Sequence, residues 1–392
     1  MCLPTTTRQT TMSKKIFLSS PTMHDMEMKY IKEAFDTNWV APLGANVDGF
    51  EADVEKYFGD GIHATALSAG TAAIHLAMRL IGVKPGDIVF GPSLTFAATV
   101  NPITYDGGVP VFIDSETETW NMDPEALEKA FEKYPDVRAV ISADLYGTPA
   151  FNAQLEEICQ KHGVPYIEDA AEAMGSKEPD AEGNLKNTGS FGVCGILSFN
   201  GNKIITTSCG GMLISHDEEL VKKARFLATQ AREPERYYQH KEIGFNYRMS
   251  NIVAGIGRGQ MVYLDSHVEA KRLIRERYKK AFADIPEITL NPYREGTLPN
   301  FWLTCMTLSG DSQVKPYDIM DALAAEDIET RPIWKPMHLQ PVFANNDFIQ
   351  VAEGMSVSED IYNRGLCLPS DIKNTDEDMD RIIGIVRGLF GK

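Results

Sequence analysis

The chain of 392 residues has no run of 18 or more apolar residues, so no transmembrane helix is expected. Positive charge is scarce: 38 lysines and arginines stand against 55 aspartates and glutamates, a formal net charge of −17. Such a chain repels nucleic acid and anionic membrane, and neither is expected as a partner. An anionic substrate would need local Arg, Lys or backbone N–H groups to overcome that field. The six cysteines are scattered, at Cys2, Cys159, Cys194, Cys209, Cys305 and Cys367, and no CxxC pair occurs. Zinc and redox motifs therefore lack support, and buried reduced thiols in a cytoplasmic protein are expected. No GxGxxG follows the first expected strand, which disfavours a Rossmann NAD enzyme. Met1 to Met12 is Thr-rich without an apolar core, unlike a secretory signal. Residues 1–15 are expected to form a disordered tail.

What is present is a well-apolar chain, 43% hydrophobic, organised by alternation. Short runs at Ala64–Ala69, Ile88–Pro92, Pro110–Ile113, Ala139–Leu145, Pro165–Glu168, Gly195–Phe199 and Gly211–Ser215 suit strands covered on both faces. Between them lie helical patterns with readable ends. Asp123 precedes Pro124, an N-cap before a proline at the first helical position. Gly163 suits a left-handed C-cap after Leu155 to His162. Strand–helix–strand order predicts a mostly parallel seven-stranded α/β sheet with right-handed crossovers. After about residue 260 the texture changes to a long charged helix and short mixed elements. The expected division is a large domain over 16–262 and a smaller α+β domain over 263–392.

In open α/β sheets, ligands bind beyond the carboxyl ends of the strands, and four segments sit at such ends. Ser68-Ala69-Gly70-Thr71-Ala72-Ala73 passes from strand to apolar helix. Gly70 would permit a tight turn, and the Thr71 and Ala72 amides could hold a phosphate. His75, inside that helix, reads as a packed core residue. Phe96 follows a strand end and suits stacking on a planar ring, or plain core packing. Glu168 and Asp169 close an apolar strand, with Glu172 just beyond. A carboxylate there can cap a helix or pair with a protonated ring nitrogen. Ser198-Phe199-Asn200-Gly201-Asn202-Lys203 presents one lysine from a turn after a buried strand. A lysine amine can form a Schiff base with an aldehyde cofactor.

With these pieces in this order, the chain resembles the DegT-type nucleotide-sugar aminotransferases, fold type I pyridoxal-phosphate enzymes, from about Ile16 to Phe390. The resemblance rests on Asn38 to Gly44, Ser198 to Thr207, Gly244-Phe245-Asn246-Tyr247-Arg248-Met249-Ser250-Asn251, and Trp334-Lys335-Pro336-Met337-His338. Within that family it is most similar to the bacillosamine-pathway enzymes, which aminate C4 of a UDP-linked 4-keto-6-deoxy-N-acetylhexosamine. The resemblance implies pyridoxal 5'-phosphate carried on Lys203, which also moves the proton. It implies Asp169 on the ring nitrogen and Phe96 on the ring face. Gly70, Thr71, Ala72 and Ser198 would meet the phosphate, joined by Asn246 from the other subunit of a homodimer. Glu172 stands where relatives carry Gln or Glu near the phenolic oxygen. Trp39, Tyr237, Arg331 and His338 are the implied sugar contacts, with L-glutamate as amino donor. Cys209 departs from a usual Gly and is assigned no role. Some members carry His in place of the lysine and remove a hydroxyl, so Lys203 argues for transamination. The competing expectations are another fold type I activity and a non-catalytic binding protein that has kept the fold.

Overall fold

The computed structural model describes residues 14–392 apart from Asp60 and Met355. Cys2 and most of the expected tail lie outside the described residues. Lys14 and Lys15 lie inside them, and the Lys14 ammonium pairs with Asp378 at 2.7 Å. Ile16 is buried and bridges to Ile328.

In the first part of the chain the strands are β1 (His63–Leu67), β2 (Ile88–Pro92), β3 (Val109–Ile113), β4 (Ala139–Ala143), β5 (Tyr166–Asp169), the small hairpin β6 (Lys177–Pro179) and β7 (Leu185–Asn187), β8 (Cys194–Ser198) and β9 (Gly211–Ser215). The helices among them are α1 (Met26–Asp36), α2 (Ala45–Phe58), α3 (Gly70–Ile81), α4 (Asn101–Tyr105), α5 (Pro124–Lys133), α6 (Asn152–His162), α7 (Glu218–Ala228) and α8 (Asn251–Met261). Thereafter come α9 (Leu264–Ala281), β10 (Ile288–Leu290), β11 (Cys305–Leu308), α10 (Pro316–Ala324), β12 (Arg331–Pro332), β13 (Phe348–Ile349), α11 (Val357–Arg364), β14 (Gly365–Cys367) and α12 (Asp376–Leu389).

The seven expected strands all form, with ends shifted by a residue or two, and an eighth joins them. The large sheet runs β1-β9-β8-β5-β4-β2-β3-β13. All neighbours are parallel except β9, which runs against β1 and β8. The eighth strand, β13, comes from the C-terminal stretch, so the chain recrosses to the large sheet after residue 263. β10, β11, β14 and β12 form a separate antiparallel sheet.

Alternation of side chains explains why these strands stay buried on both faces. Val89, Phe112, Ile141 and Ile167 pack with α3 and α7 on one side. Their neighbours Phe90, Val111, Val140 and Tyr166 pack with α5 and α6 on the other. The caps follow the sequence too. The Asp123 carboxylate accepts from the amides of Glu125 and Ala126, and Gly163 ends α6 with φ 67°. The expected strand Ala139–Leu145 stops at Ala143. Leu145–Gly147 instead makes a 3-10 turn in which Tyr146 takes φ 54° and ψ 19°.

Candidate active site

The carboxyl ends of β1, β2, β4, β5 and β8 converge on one cavity of about 320 Å³, within the range of small-molecule sites. At the start of α3, Ala69 is extended and no side chain caps the helix. By helix geometry the first amides, from Gly70 to Ala72, have no intrahelical acceptor, so the positive end of the helix faces the cavity. Gly70 does not take a positive φ. Its absent side chain matters for proximity: a Cβ there would lie 3.2 Å from the Ser198 Cβ. Gly211 is more constrained, since a Cβ would lie 2.3 Å from the Gly70 nitrogen. Two bare backbones thus bring the Ser198 hydroxyl beside the α3 amides, which is the donor set an anionic phosphate needs.

Asp169 ends β5 inside the cavity. Its carboxylate accepts from the Thr99 hydroxyl at 2.7 Å and the Ala171 amide at 3.1 Å. Burial raises its pKa from 3.8 to about 6, against the pull of those two bonds and of Lys203. A buried acid with this shift gains from a cationic N–H, as a protonated pyridine ring offers. Glu168 points to the other face. It shares the side-chain amide of Asn152 with Asp144, at 3.2 and 2.9 Å, and burial pushes both acids upward.

Beyond β8 the chain turns through Asn200 and Gly201, with the Lys203 amide donating to the Asn200 carbonyl at 3.0 Å. Gly201 has no positive φ, so this turn does not depend on glycine. The Lys203 side chain is 11% exposed. Its ammonium lies 3.5 Å from Glu172 Oε1 and 4.4 Å from the centre of the Trp302 ring, a cation–π contact. Trp302 is anchored by its ring N–H, which donates to the Asn202 carbonyl at 2.5 Å. The other Glu172 oxygen accepts from the Tyr146 amide at 2.7 Å. Phe96, half exposed, faces the cavity 5.2 Å from Trp334.

Gly70, Thr71, Phe96, Asp169, Glu172, Ser198 and Lys203 therefore line one cavity. Ala72 stands one residue behind, with its side chain buried. The other named residues lie elsewhere on this chain. Asn246 borders a separate open face with Pro42, Leu43, Arg225 and Arg248. Trp39 and Tyr237 are exposed. Arg331 pairs with Glu329 at 2.6 Å. The ring nitrogens of His338 meet Ser93 at 2.6 Å and Glu359 at 3.1 Å, and the ring stacks on Phe348 at 3.8 Å. Its bonding capacity is spent on packing. Sequence reasoning overlooked Thr99, Tyr146 and Trp302. Thr99 had a signal, being one turn beyond the singled-out Phe96. Trp302 and Tyr146 had none, because only tertiary packing brings them to Lys203 and Glu172. Cys209, given no role, lines the cavity. His75 is buried as expected, with burial lowering its pKa, and it meets Tyr247 and Asp106.

Comparison with known proteins identifies the family. The profile of the DegT/DnrJ/EryC1/StrS aminotransferase family matches residues 21–387. A protein of Bacillus subtilis (strain 168) named as a pyridoxal phosphate-dependent aminotransferase, EpsN, is 50% identical over 383 residues, 97% of each chain. A GDP-perosamine synthase of Caulobacter vibrioides is 36% identical, over 94% of this chain and 96% of that one. A DegT DnrJ EryC1 StrS aminotransferase structure from Brucella abortus superposes with a TM-score of 0.84 at 28% identity, covering 94% of this chain and 96% of the other. The protein is thus a pyridoxal-phosphate-dependent sugar aminotransferase, and the chain belongs to the DegT/DnrJ/EryC1/StrS aminotransferase family.

Proposed function

We propose that this enzyme transfers an amino group from L-glutamate to C4 of a UDP-linked 4-keto-6-deoxy-N-acetylhexosamine, acting as a homodimer with shared sites. The observation that carries the sugar reading is the cavity wall. Phe96, Trp302 and Trp334 make it aromatic, and no arginine is among its described lining residues. Broad rings suit a sugar face. L-glutamate, the donor, brings carboxylates of its own, so the cations that meet them must come from outside this lining. The dimer reading is supported by Asn246, which borders an open face carrying Arg225 and Arg248. A second copy presenting that face would add the missing cations.

Bound pyridoxal phosphate supplies an aldehyde that takes the amine and a pyridinium ring that withdraws electrons. Within this chain, Gly70, Thr71, Ala72 and Ser198 would hold the phosphate. Asp169 would keep the ring nitrogen protonated, and Phe96 would cover the ring. Lys203 would carry the cofactor and then move a proton to and from the substrate carbon. Glu172 would hold the lysine amine in place whenever it is free.

The test is incubation with glutamate and a panel of UDP- and GDP-linked keto-sugars, with products identified by mass. GDP sugars belong in the panel because one relative is named for a GDP sugar. Amination at C4 of the UDP-linked N-acetyl substrate is expected. Amination of GDP-linked sugars alone, or at C3, would overturn the substrate assignment.

A further inference from the structure

Tyr146 is a large aromatic residue in the left-handed region, at φ 54° and ψ 19°. That is a genuine outlier for a bulky side chain, and such strain persists only where the surroundings over-determine it. Here they do. The next residue, Gly147, has φ 86°, and its carbonyl accepts from the Ser176 hydroxyl at 2.8 Å and the Asn300 amide at 3.2 Å. The Tyr146 amide donates to Glu172. Its hydroxyl accepts from the Trp334 amide at 2.9 Å. The buried ring lies between Trp302, at 6.4 Å and 24°, and Trp334, at 6.0 Å and 20°.

An aromatic arc results, running Phe96, Trp334, Tyr146, Trp302 and ending on the Lys203 ammonium. Tyr146 is its middle member and touches both ends of the site. It does not reach the cavity, and burial holds its phenol far above the usual range, so it acts through its neighbours. With Gly147 held by Ser176 and Asn300, an ordinary right-handed or extended backbone at this position would have to swing the preceding peptide, and with it the Tyr146 amide, away from Glu172. We propose that Tyr146 is a positioning residue for the transfer reaction, setting Glu172 against Lys203 with its backbone and Trp334 against Phe96 with its hydroxyl. This rests on the aminotransferase reading above.

Three variants of the full-length holoenzyme separate the two roles. Tyr146→Phe keeps ring and backbone but gives Trp334 no acceptor. Tyr146→Gly loses the ring but takes the left-handed region freely, whereas Tyr146→Ala does not. Amide hydrogen exchange at residue 146 is read together with kinetics. The glycine variant is expected to keep its protection, and the alanine variant to lose about tenfold or more. In the half-reaction with glutamate, kcat should fall further for alanine than for glycine. The phenylalanine variant should raise KM for the keto-sugar roughly fivefold to tenfold with kcat nearly unchanged, the effect of one lost hydrogen bond. Equal exchange and equal kcat in the glycine and alanine variants would overturn the backbone role. An unchanged KM in the phenylalanine variant would overturn the hydroxyl role. Because exchange needs no substrate, a substrate panel without product would sink the assigned reaction and leave this result standing.

Discussion

At the residue scale, Asp169 joins stability to chemistry. Its ordinary pKa of 3.8 becomes about 6 in the fold. Between those values the folded chain holds a proton that the unfolded chain has released. Folding stability therefore falls as pH rises from 3.8 to about 6 and is level above that. The cost is roughly 2–3 kcal/mol at neutral pH, and a ring N–H cation paired with the carboxylate would offset it. Asp169→Asn should remove this pH slope, read from melts of the cofactor-free protein. In the holoenzyme it should leave the cofactor bound and lower turnover by about two orders of magnitude, as loss of one fixed electrostatic partner does. Near-normal turnover in that variant would reduce Asp169 to a local cap for Ala171. That Asp169 and Lys203 would share a strand-end cavity was legible in the sequence, because Asp169 closes one apolar strand and Lys203 follows another by a short turn. Trp302 was not, since a tryptophan 99 positions beyond Lys203 announces nothing until the fold puts its ring under the ammonium. The four implied sugar contacts came from resemblance alone, and on this chain none of them lines the cavity.

At the scale of elements, the proposed phosphate cradle is a meeting of backbones. The start of β9 presses on the start of α3 at Gly211, where a Cβ would lie 2.3 Å from the Gly70 nitrogen and the Ala69 carbonyl carbon. Neither partner is a flexible side chain, so something in the backbone must move. Gly211→Ala should fold yet tilt the first turn of α3, weakening cofactor retention at least roughly tenfold while the melting temperature of the cofactor-free protein drops only modestly. Unaltered retention on dialysis would show that α3 does not hold the phosphate. The strands and capped helices of the large sheet were readable from apolar runs, Asp123-Pro124 and Gly163. The 3-10 turn after β4 was not, because Leu145 continues the apolar run while Asp144 accepts from Asn152 and the Ala150 amide. Local pattern favoured more strand, and side-chain bonding to the backbone stopped it. β13 was invisible for a different reason. Two residues carry no period, and their strand exists only because β3 offers an edge.

For the whole molecule, the proposal of shared sites makes Asn246 and Lys203 act across two chains. Lys203→Ala and Asn246→Ala homodimers should each be nearly inactive. Mixing them through mild dissociation should restore part of the activity, since one site of each hybrid would have both residues intact. No restoration in confirmed hybrids would show that each chain serves its own cavity. Among the described residues no helix is long and apolar enough to cross a membrane, which fits the apolar patterning. The acidic balance was equally legible, but which cations meet the substrate was not. On the proposal of shared sites, that depends on which face a second copy presents, and no local pattern in the order of residues announces it.

Phe348 and Ile349 lie parallel to Phe112 and Ile113, with the Phe112 amide bound to the Asp347 carbonyl and the Asp114 amide to the Ile349 carbonyl. The polypeptide is thereby buckled back onto its own first half. A protease nick between α9 and β13 would leave two fragments that still share a sheet, and they should co-migrate until denatured. A chain ending before Phe348 would instead bare the outer rim of β3, inviting another copy to add its own strand there, so such truncations should clump rather than simply lose activity.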